Sequence, residues 1–334
     1  VADTSPASTP LVTVVIPMRN EASGIEACLD SVLANTLPHN APFEVLVFDG
    51  ESDDGSGALV DAMAARDSRL RRIMNHARLQ ADAFNLGIAA ARGHYIVRMD
   101  AHSLYASDYL AESVRLLEET GAENVGGVQR ATGKNWLGLA IAAAVSSKFA
   151  AGDAAYRNAT EPTWTDTVYL GAWRTETLRR LGGMRAGWAV NEDYEMNVRL
   201  RASGGRVYLS PTIKSTYFVR ASLRKLGRQY LRYGFWKVRT LRMHPSSLRW
   251  RQLVAPAFVV SLLLTPLTVT LLGAFGAAHL AAYLAANLAA SMITASRAGW
   301  RLLPGLPLVF VTVHLAWGSG FLGGCLYWPF RARD

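Results

Sequence analysis

Between positions 253 and 330 the chain carries charge at only two residues, Arg297 and Arg301. Such a stretch is no solvated surface; it is either wrapped inside a helical subdomain or set against lipid. It divides into three apolar segments, about 253–275, 277–296 and 302–328, each close to the roughly 20 residues that span a bilayer as a helix. Three in succession leave too little of a 334-residue chain to hide them. A transmembrane domain is therefore expected over 253–330. The block before it, 220–252, holds ten Lys or Arg and no acid, and it accounts for the formal net charge of +9. Basic residues can meet nucleic acid or a membrane surface. Beside an apolar tail they read as a cytoplasmic flank, so nucleic acid is set aside and membrane lipids are expected partners. The expectation is a basic amphipathic interface segment over 221–252, a multi-pass protein of the plasma (inner) membrane, and a cytoplasmic domain ahead of the tail. The bend at Arg297 and Arg301 would also be cytoplasmic, whereas Arg331 and Arg333 would fall outside, which leaves the topology after residue 296 open.

Residues 1–10 are small and polar with no apolar core, an expected disordered tail rather than a signal peptide. Cys28 and Cys325 form no metal-ligand spacing or disulfide framework. From residue 11 onward strand-like and helix-like segments alternate. Short apolar runs at 11–16, 43–48, 70–74 and 95–99 are separated by helical spacing at 20–34, 58–66 and 82–91. That order predicts an α/β fold, Rossmann-like, with a mostly parallel sheet and helices on both faces. Further strands are expected at 125–128, 167–170 and 206–209, with an amphipathic helix at 193–202. The apolar segment 136–151 reads equally as a buried helix or one lying at a membrane surface.

In such sheets ligands bind beyond the carboxyl ends of the strands. Pro17, Asp49 and Asp100 all fall there, with Arg19, Asn20 and Glu21 following the first strand. Asp100 and His102, two apart on an extended segment, point the same way and can reach one cation. An imidazole tilts the preference from Mg²⁺ toward Mn²⁺; His102 either ligates directly or stands behind Asp100 and its waters. Glu21 and Asp49 can accept hydrogen bonds from a ribose or a base, and Glu21 can equally cap a helix. Glu192 and Asp193 are adjacent carboxylates, which raise one another's pKa and so suit a general base. They also suit a plain helix N-terminus, and the residues alone leave both open.

The motifs are TVVIPMRNE at 13–21, VLVFDGESDDGS at 45–56, VRMDAHS at 97–103, YLGAWR at 169–174, NEDYE at 191–195 and RQYLRYG at 228–234. In order and spacing this set resembles the family 2 glycosyltransferases, inverting enzymes of the GT-A fold, over about residues 11–251. The DAHS variant, RQYLRYG and the apolar tail look most like the succinoglycan-type exopolysaccharide enzymes. The resemblance implies a GT-A domain over 11–220. It implies an inverting transfer from a nucleoside-diphosphate sugar, UDP first among them, to a lipid-linked (polyprenyl-pyrophosphate) saccharide. Asp100 and His102 would hold Mn²⁺ or Mg²⁺ on the donor diphosphate. Asp193 would be the catalytic base, with Glu192 beside it at the acceptor. Pro17, Arg19, Asn20, Glu21 and Asp49 would line the donor wall. Gly50 stands where relatives carry a second aspartate, and Gln80 where many carry a lysine or arginine, with Arg78 nearby to compensate. Gln229, Arg232 and Tyr233 match the family's Gln-X-X-Arg-Trp segment with tyrosine for tryptophan, Arg232 meeting the diphosphate and Gln229 and Tyr233 the acceptor. Trp173 is an acceptor platform or a core residue. Alternatives are a polyprenyl-phosphate glycosyltransferase and a processive polysaccharide synthase. A nucleotide-binding module without catalysis is a third.

Overall fold

A computed structural model describes residues 9–219 and 221–331; residues 1–8 of the expected tail, Arg220 and Arg333 lie outside the described residues. The chain forms two compact units, one of Val1–Arg130 with Ala159–Tyr217, the other of Ala131–Asn158 with Phe218–Asp334.

The first unit runs β1 (Val12–Met18), α1 (Ile25–Leu33), β2 (Phe43–Asp49), α2 (Ser56–Ala64), β3 (Leu70–Met74), α3 (Gln80–Ala90), β4 (Tyr95–Arg98), β5 (Ser103–Tyr105), α4 (Tyr109–Thr120) and β6 (Asn124–Gly127). The chain leaves it on β7 (Arg130–Thr132) and contributes α5 (Trp136–Val145), α6 (Lys148–Ala151) and α7 (Ala155–Asn158) to the second unit. It returns as β8 (Thr163–Thr165), β9 (Tyr169–Arg174), α8 (Thr175–Leu181), α9 (Glu192–Ala202), β10 (Val207–Leu209) and β11 (Ser215–Phe218). The rest is helical: α10 (Leu223–Met243), α11 (Arg251–Leu272), α12 (Ala278–Ala298) and α13 (Leu306–Tyr327).

An eight-stranded sheet in the order β3-β2-β1-β4-β9-β6-β10-β8 organises the first unit. Strands β3, β2, β1 and β4 are mutually parallel, as the alternating pattern requires. Every residue of β1 and β2 is buried, because helices cover both faces of a parallel sheet and leave no solvated side. The register sets Met18 beside Asp49 and Val15 beside Arg98. The residues that follow β1, β2 and β4 are thereby delivered to one edge. The sheet turns mixed at β9, which is antiparallel to both β4 and β6. This strand covers Tyr169–Arg174 rather than 167–170, and it enters reversed on the chain's return from the second unit.

In the second unit α5 is a packed helix. Its Ala140, Ile141, Ala144 and Val145 share a core with Leu226 and Tyr230 of α10 and Phe310 and Val313 of α13. The expected apolar segments are α11, α12 and α13, of 22, 21 and 22 residues. The first two, joined by a short 3₁₀ turn, make one apolar stretch Arg251–Ala298, and Leu306–Phe330 makes a second; both are long and apolar enough to cross a membrane. Helices α10 and α13 meet backbone to backbone through glycine. A Cβ at Gly234 would lie 2.2 Å from the Trp317 carbonyl oxygen, and one at Gly320 would lie 2.0 Å from that of Leu231. Small residues at the contact, as in membrane helix pairs, are what allow this approach.

Gly320→Ala should therefore cost about 1–3 kcal/mol by forcing the helices apart. At Gly323, on the next turn of the same helix, a Cβ would have nothing within 4 Å, and the same change should stabilise by roughly 0.5–1 kcal/mol. Unfolding midpoints of both variants in one detergent check the contrast; equal shifts would refute the backbone contact.

Candidate active site

The chain turns sharply after β1, with Asn20 at φ 57°. Its side chain and backbone lock onto the loop after β2: Asn20 N–H donates to Ser52 Oγ at 3.0 Å, and Asp53 N–H donates to Asn20 Oδ1 at 3.0 Å. Glu21 N–H donates to Ser56 Oγ at 2.8 Å. The two loops that carry the expected donor wall thus form one rigid rim. Asp49 is 2 % exposed; its Oδ1 accepts from Ser52 N–H at 2.9 Å and its Oδ2 from Arg72 at 3.2 Å. Both of its oxygens already hold the loop, so Asp49 acts on a ligand chiefly through the shape of that rim. Pro17 lies within buried β1, and Arg19 is exposed on the rim. Arg78 is tied to Glu51, which also accepts from His76 at 2.9 Å. These two hydrogen bonds, the His76 contact first, hold the exposed Glu51 carboxyl below its ordinary range.

The centre of the site is Arg98, at the end of β4 and 6 % exposed. Its guanidinium lies 3.7 Å from Asp100 Oδ1 and 3.5 Å from Glu192 Oε1, and it donates to Gln80 Oε1 at 3.2 Å. Burial alone would favour a neutral guanidinium. The charges of Asp100, Glu192 and Asp193 outweigh it and hold Arg98 above its ordinary pKa. Glu192, 5 % exposed, is pushed up to about 7, by burial first and then by Asp193, against the pull of Arg98. Its carboxylate faces Arg98 inside the protein. Asp193, the second residue of α9, is half-buried.

The peptide of Asp100 is clamped by Tyr105, whose hydroxyl accepts from Asp100 N–H at 2.6 Å and donates to Asp100 C=O at 3.0 Å. Ser103 Oγ meets the Tyr169 hydroxyl at 3.1 Å. His102 Nδ1 lies 3.4 Å from Glu21 Oε1, and its ring packs edge-on to Tyr217 at 5.5 Å. This joins the rim after β1 to the segment after β4. Asp100 Oδ1 is buried with no hydrogen-bond partner; Arg98, at 3.7 Å, is within ion-pair range of it but beyond hydrogen-bond length. Among the described residues no group of three or more His, Cys, Asp or Glu gathers to hold an ion. One carboxylate and one imidazole still fit a first-row divalent ion whose other ligands come from a diphosphate or water.

A cavity of about 10 Å³ lies behind Asp193, lined by Arg98, Asn124, Gly171, Trp173 and Asn197. Trp173 is 1 % exposed and sits 5.4 Å from the Phe84 ring. With no open face for a sugar it is a core residue, which corrects the platform reading. Gly171 is required there, since a Cβ would stand 2.4 Å from both Asn124 Oδ1 and the Trp173 ring. Gln229, Arg232 and Tyr233 belong to α10 of the second unit, where Gln229 Nε2 donates to the Tyr233 hydroxyl at 2.7 Å. Sequence reasoning missed Arg98 and Tyr105. Arg98 is the one cation in an otherwise apolar strand, and that was its available signal.

Residues 13–167 match the model of glycosyl transferase family 2. The succinoglycan biosynthesis protein ExoA of Rhizobium meliloti is 30 % identical over 92 % of this chain and 93 % of its own. The chain belongs to glycosyl transferase family 2. A second relative of this glycosyltransferase comes from Methanococcus voltae. It is named as a dolichyl N-acetyl-alpha-D-glucosaminyl phosphate 3-beta-D-2,3-diacetamido-2,3-dideoxy-beta-D-glucuronosyltransferase, and is 26 % identical over 72 % of this chain and 76 % of its own. Among solved structures, the Pyrobaculum calidifontis mannosyltransferase PcManGT, in complex with GDP-Man and Mn²⁺, superposes with a TM-score of 0.62 at 22 % identity. The match covers 98 % of this chain and 90 % of that one. The glycosyltransferase therefore has the GT-A fold.

Because the folded enzyme holds the Glu192 proton to about 7 and an unfolded chain releases it near 4.3, the folded state binds more protons in between. This group's contribution to stability is present below the unfolded pKa and lost as pH rises through about 7. Denaturant titrations from acid to alkaline pH should show this loss, up to about 4 kcal/mol, in the wild type and not in Glu192→Gln. Parallel curves would show that Glu192 ionises normally.

Proposed function

We propose that this glycosyltransferase moves a sugar, with inversion, from a nucleoside-diphosphate sugar to a lipid-linked saccharide during cell-surface glycan assembly. The observation behind this reading is Arg98. One buried guanidinium holds Asp100, the expected donor-side ligand, within reach of Glu192 and the Glu192–Asp193 pair. Donor binding and proton removal are thereby built around one charge.

Asp193 takes the proton from the acceptor hydroxyl as that oxygen attacks the anomeric carbon, and the sugar–phosphate bond breaks on the opposite face. Glu192 is buried and faces Arg98, which leaves the half-buried Asp193 as the base of the pair. The rim of Arg19, Asn20 and Glu21, fixed by Ser52 and Ser56, orients the nucleoside. Asp100 and His102 are the residues that would hold a divalent ion, and such an ion supplies positive charge against the leaving diphosphate. Arg232 and Tyr233 are proposed for the diphosphate and the acceptor on their motif alone. A Mn²⁺ complex of the PcManGT neighbour favours a metal, and the dolichyl phosphate in the name of the M. voltae relative favours a lipid acceptor. The two apolar stretches of the second unit favour the same acceptor class, since a chain held in a bilayer meets lipid-borne substrates there.

Asp193→Asn should lower turnover by about 10²–10⁴-fold while leaving donor binding intact, whereas Asp100→Ala should lose metal-dependent donor binding. Calorimetry with the nucleotide and Mn²⁺, beside product assays on a lipid-saccharide extract, separates the two. Asp193→Asn with most of its turnover intact would favour a lipid-phosphate acceptor, already anionic, over a saccharide hydroxyl.

A further inference from the structure

Three buried polar atoms behind Asp193 find no hydrogen-bond partner among the described residues: Arg98 Nε, Asn124 Oδ1 and Trp173 Nε1. Their side chains, each more than nine-tenths buried, line the same cavity of about 10 Å³ that Asp193 lines. Gly171 shows how closely two of them approach. The point where its Cβ would stand is 2.4 Å from Asn124 Oδ1 and 2.4 Å from Cζ2 of Trp173, a carbon on the Nε1 side of the indole. Asn124 is held in this orientation, because its amide nitrogen donates to Asn197 Oδ1 at 2.7 Å and Asn197 Nδ2 donates to Thr167 Oγ1 at 3.0 Å.

Burying a donor or an acceptor without a partner costs free energy, and three such atoms around one cavity imply a partner that they share. The chemistry of the set narrows what that partner is. Arg98 Nε–H and Trp173 Nε1–H can only donate, whereas Asn124 Oδ1 and an ionised Asp193 can only accept. An anion would satisfy the two donors but be repelled by Asp193 and the amide oxygen. A metal ion would satisfy the two oxygens but face the Arg98 charge and an indole N–H. Water accepts from both donors and donates to both oxygens, which uses all four of its hydrogen-bonding positions. The cavity, at about 10 Å³, is close to the volume that a single water requires.

We propose that one water molecule, bound by Arg98 Nε, Trp173 Nε1 and Asn124 Oδ1, donates a hydrogen bond to the Asp193 carboxylate and holds it in place for proton removal. Trp173 and Asn124 are then positioning residues that act on the base through this water, a support of the kind a functional carboxylate needs behind it. The inference rests on the reading of Asp193 as the base. It gives a reason for a buried indole and a buried amide to stand behind that carboxylate with polar atoms that the fold itself leaves unused.

Two measurements on the full chain test this. A crystal structure at a resolution that shows ordered water should place one solvent peak within hydrogen-bond length of all three atoms and of Asp193. Steady-state kinetics then read the role. Trp173→Phe removes the indole N–H and keeps a ring against Phe84; its kcat should fall by about twofold to tenfold, with the KM for the nucleotide sugar unchanged. Phe84→Leu loosens the same ring without removing a polar group, and it should keep the wild-type kcat. No peak in the cavity, or a protein side chain turned into it, overturns the site. Equal kcat in the Trp173→Phe and Phe84→Leu variants overturns the water's role at Asp193. If the peak is present while Asp193→Asn keeps most of its turnover, the reading of Asp193 as the base fails and the water site stands.

Discussion

One buried cation holds the catalytic unit's acids together. Arg98 sits at the end of a central strand, removed from water, within 4 Å of two carboxylates contributed by segments almost a hundred residues apart in sequence. Neither side of that arrangement is tolerable alone. Carboxylates buried without a cation would take up protons, and a guanidinium buried without carboxylates would be expelled to solvent. Together they fix where Asp100 and the start of α9 lie. The strained turn at Asn20 and the clamp of Tyr105 on the Asp100 peptide then set the rim around them.

The cost of such a cluster explains why its surroundings are so fully committed. Gln80 directs its carbonyl at Arg98, and Gly171 leaves room for Asn124 and Trp173 behind Asp193. Glu192 faces the same guanidinium at 3.5 Å, and its burial pushes it up to about 7. In the helical unit the balance is reversed. Among its described residues cations outnumber the lone carboxylate.

Much of this was legible in the residues. Predominantly apolar β1 and β2, each followed by polar turn residues, announce a parallel sheet and the edge where Glu21, Asp49 and Asp100 emerge. The three charge-poor segments correspond to α11, α12 and α13 because apolar length is a local property. What was not legible depends on long-range packing. Arg98 looks like one residue of a strand until α9 supplies Glu192 against it. Trp173 looks like a sugar platform until Phe84 closes over it. The reversal of β9 follows from the excursion of residues 131–158 into the other unit, and periodicity within the strand itself carries no trace of that route. Asp49 was placed correctly at the strand end, but its commitment to Ser52 and Arg72 depends on a loop and a neighbouring strand.

If a single charge serves both halves of the reaction, Arg98→Gln should disable both, in protein whose circular dichroism spectrum matches the wild type. Nucleotide affinity in Mn²⁺ and turnover at saturating donor are measured on the same sample. Both should fall together, because Asp100 and the Glu192–Asp193 pair lose the same counter-ion. A variant that binds donor and turns over like the wild type, or that loses one property and keeps the other intact, would show that Arg98 does not join the two.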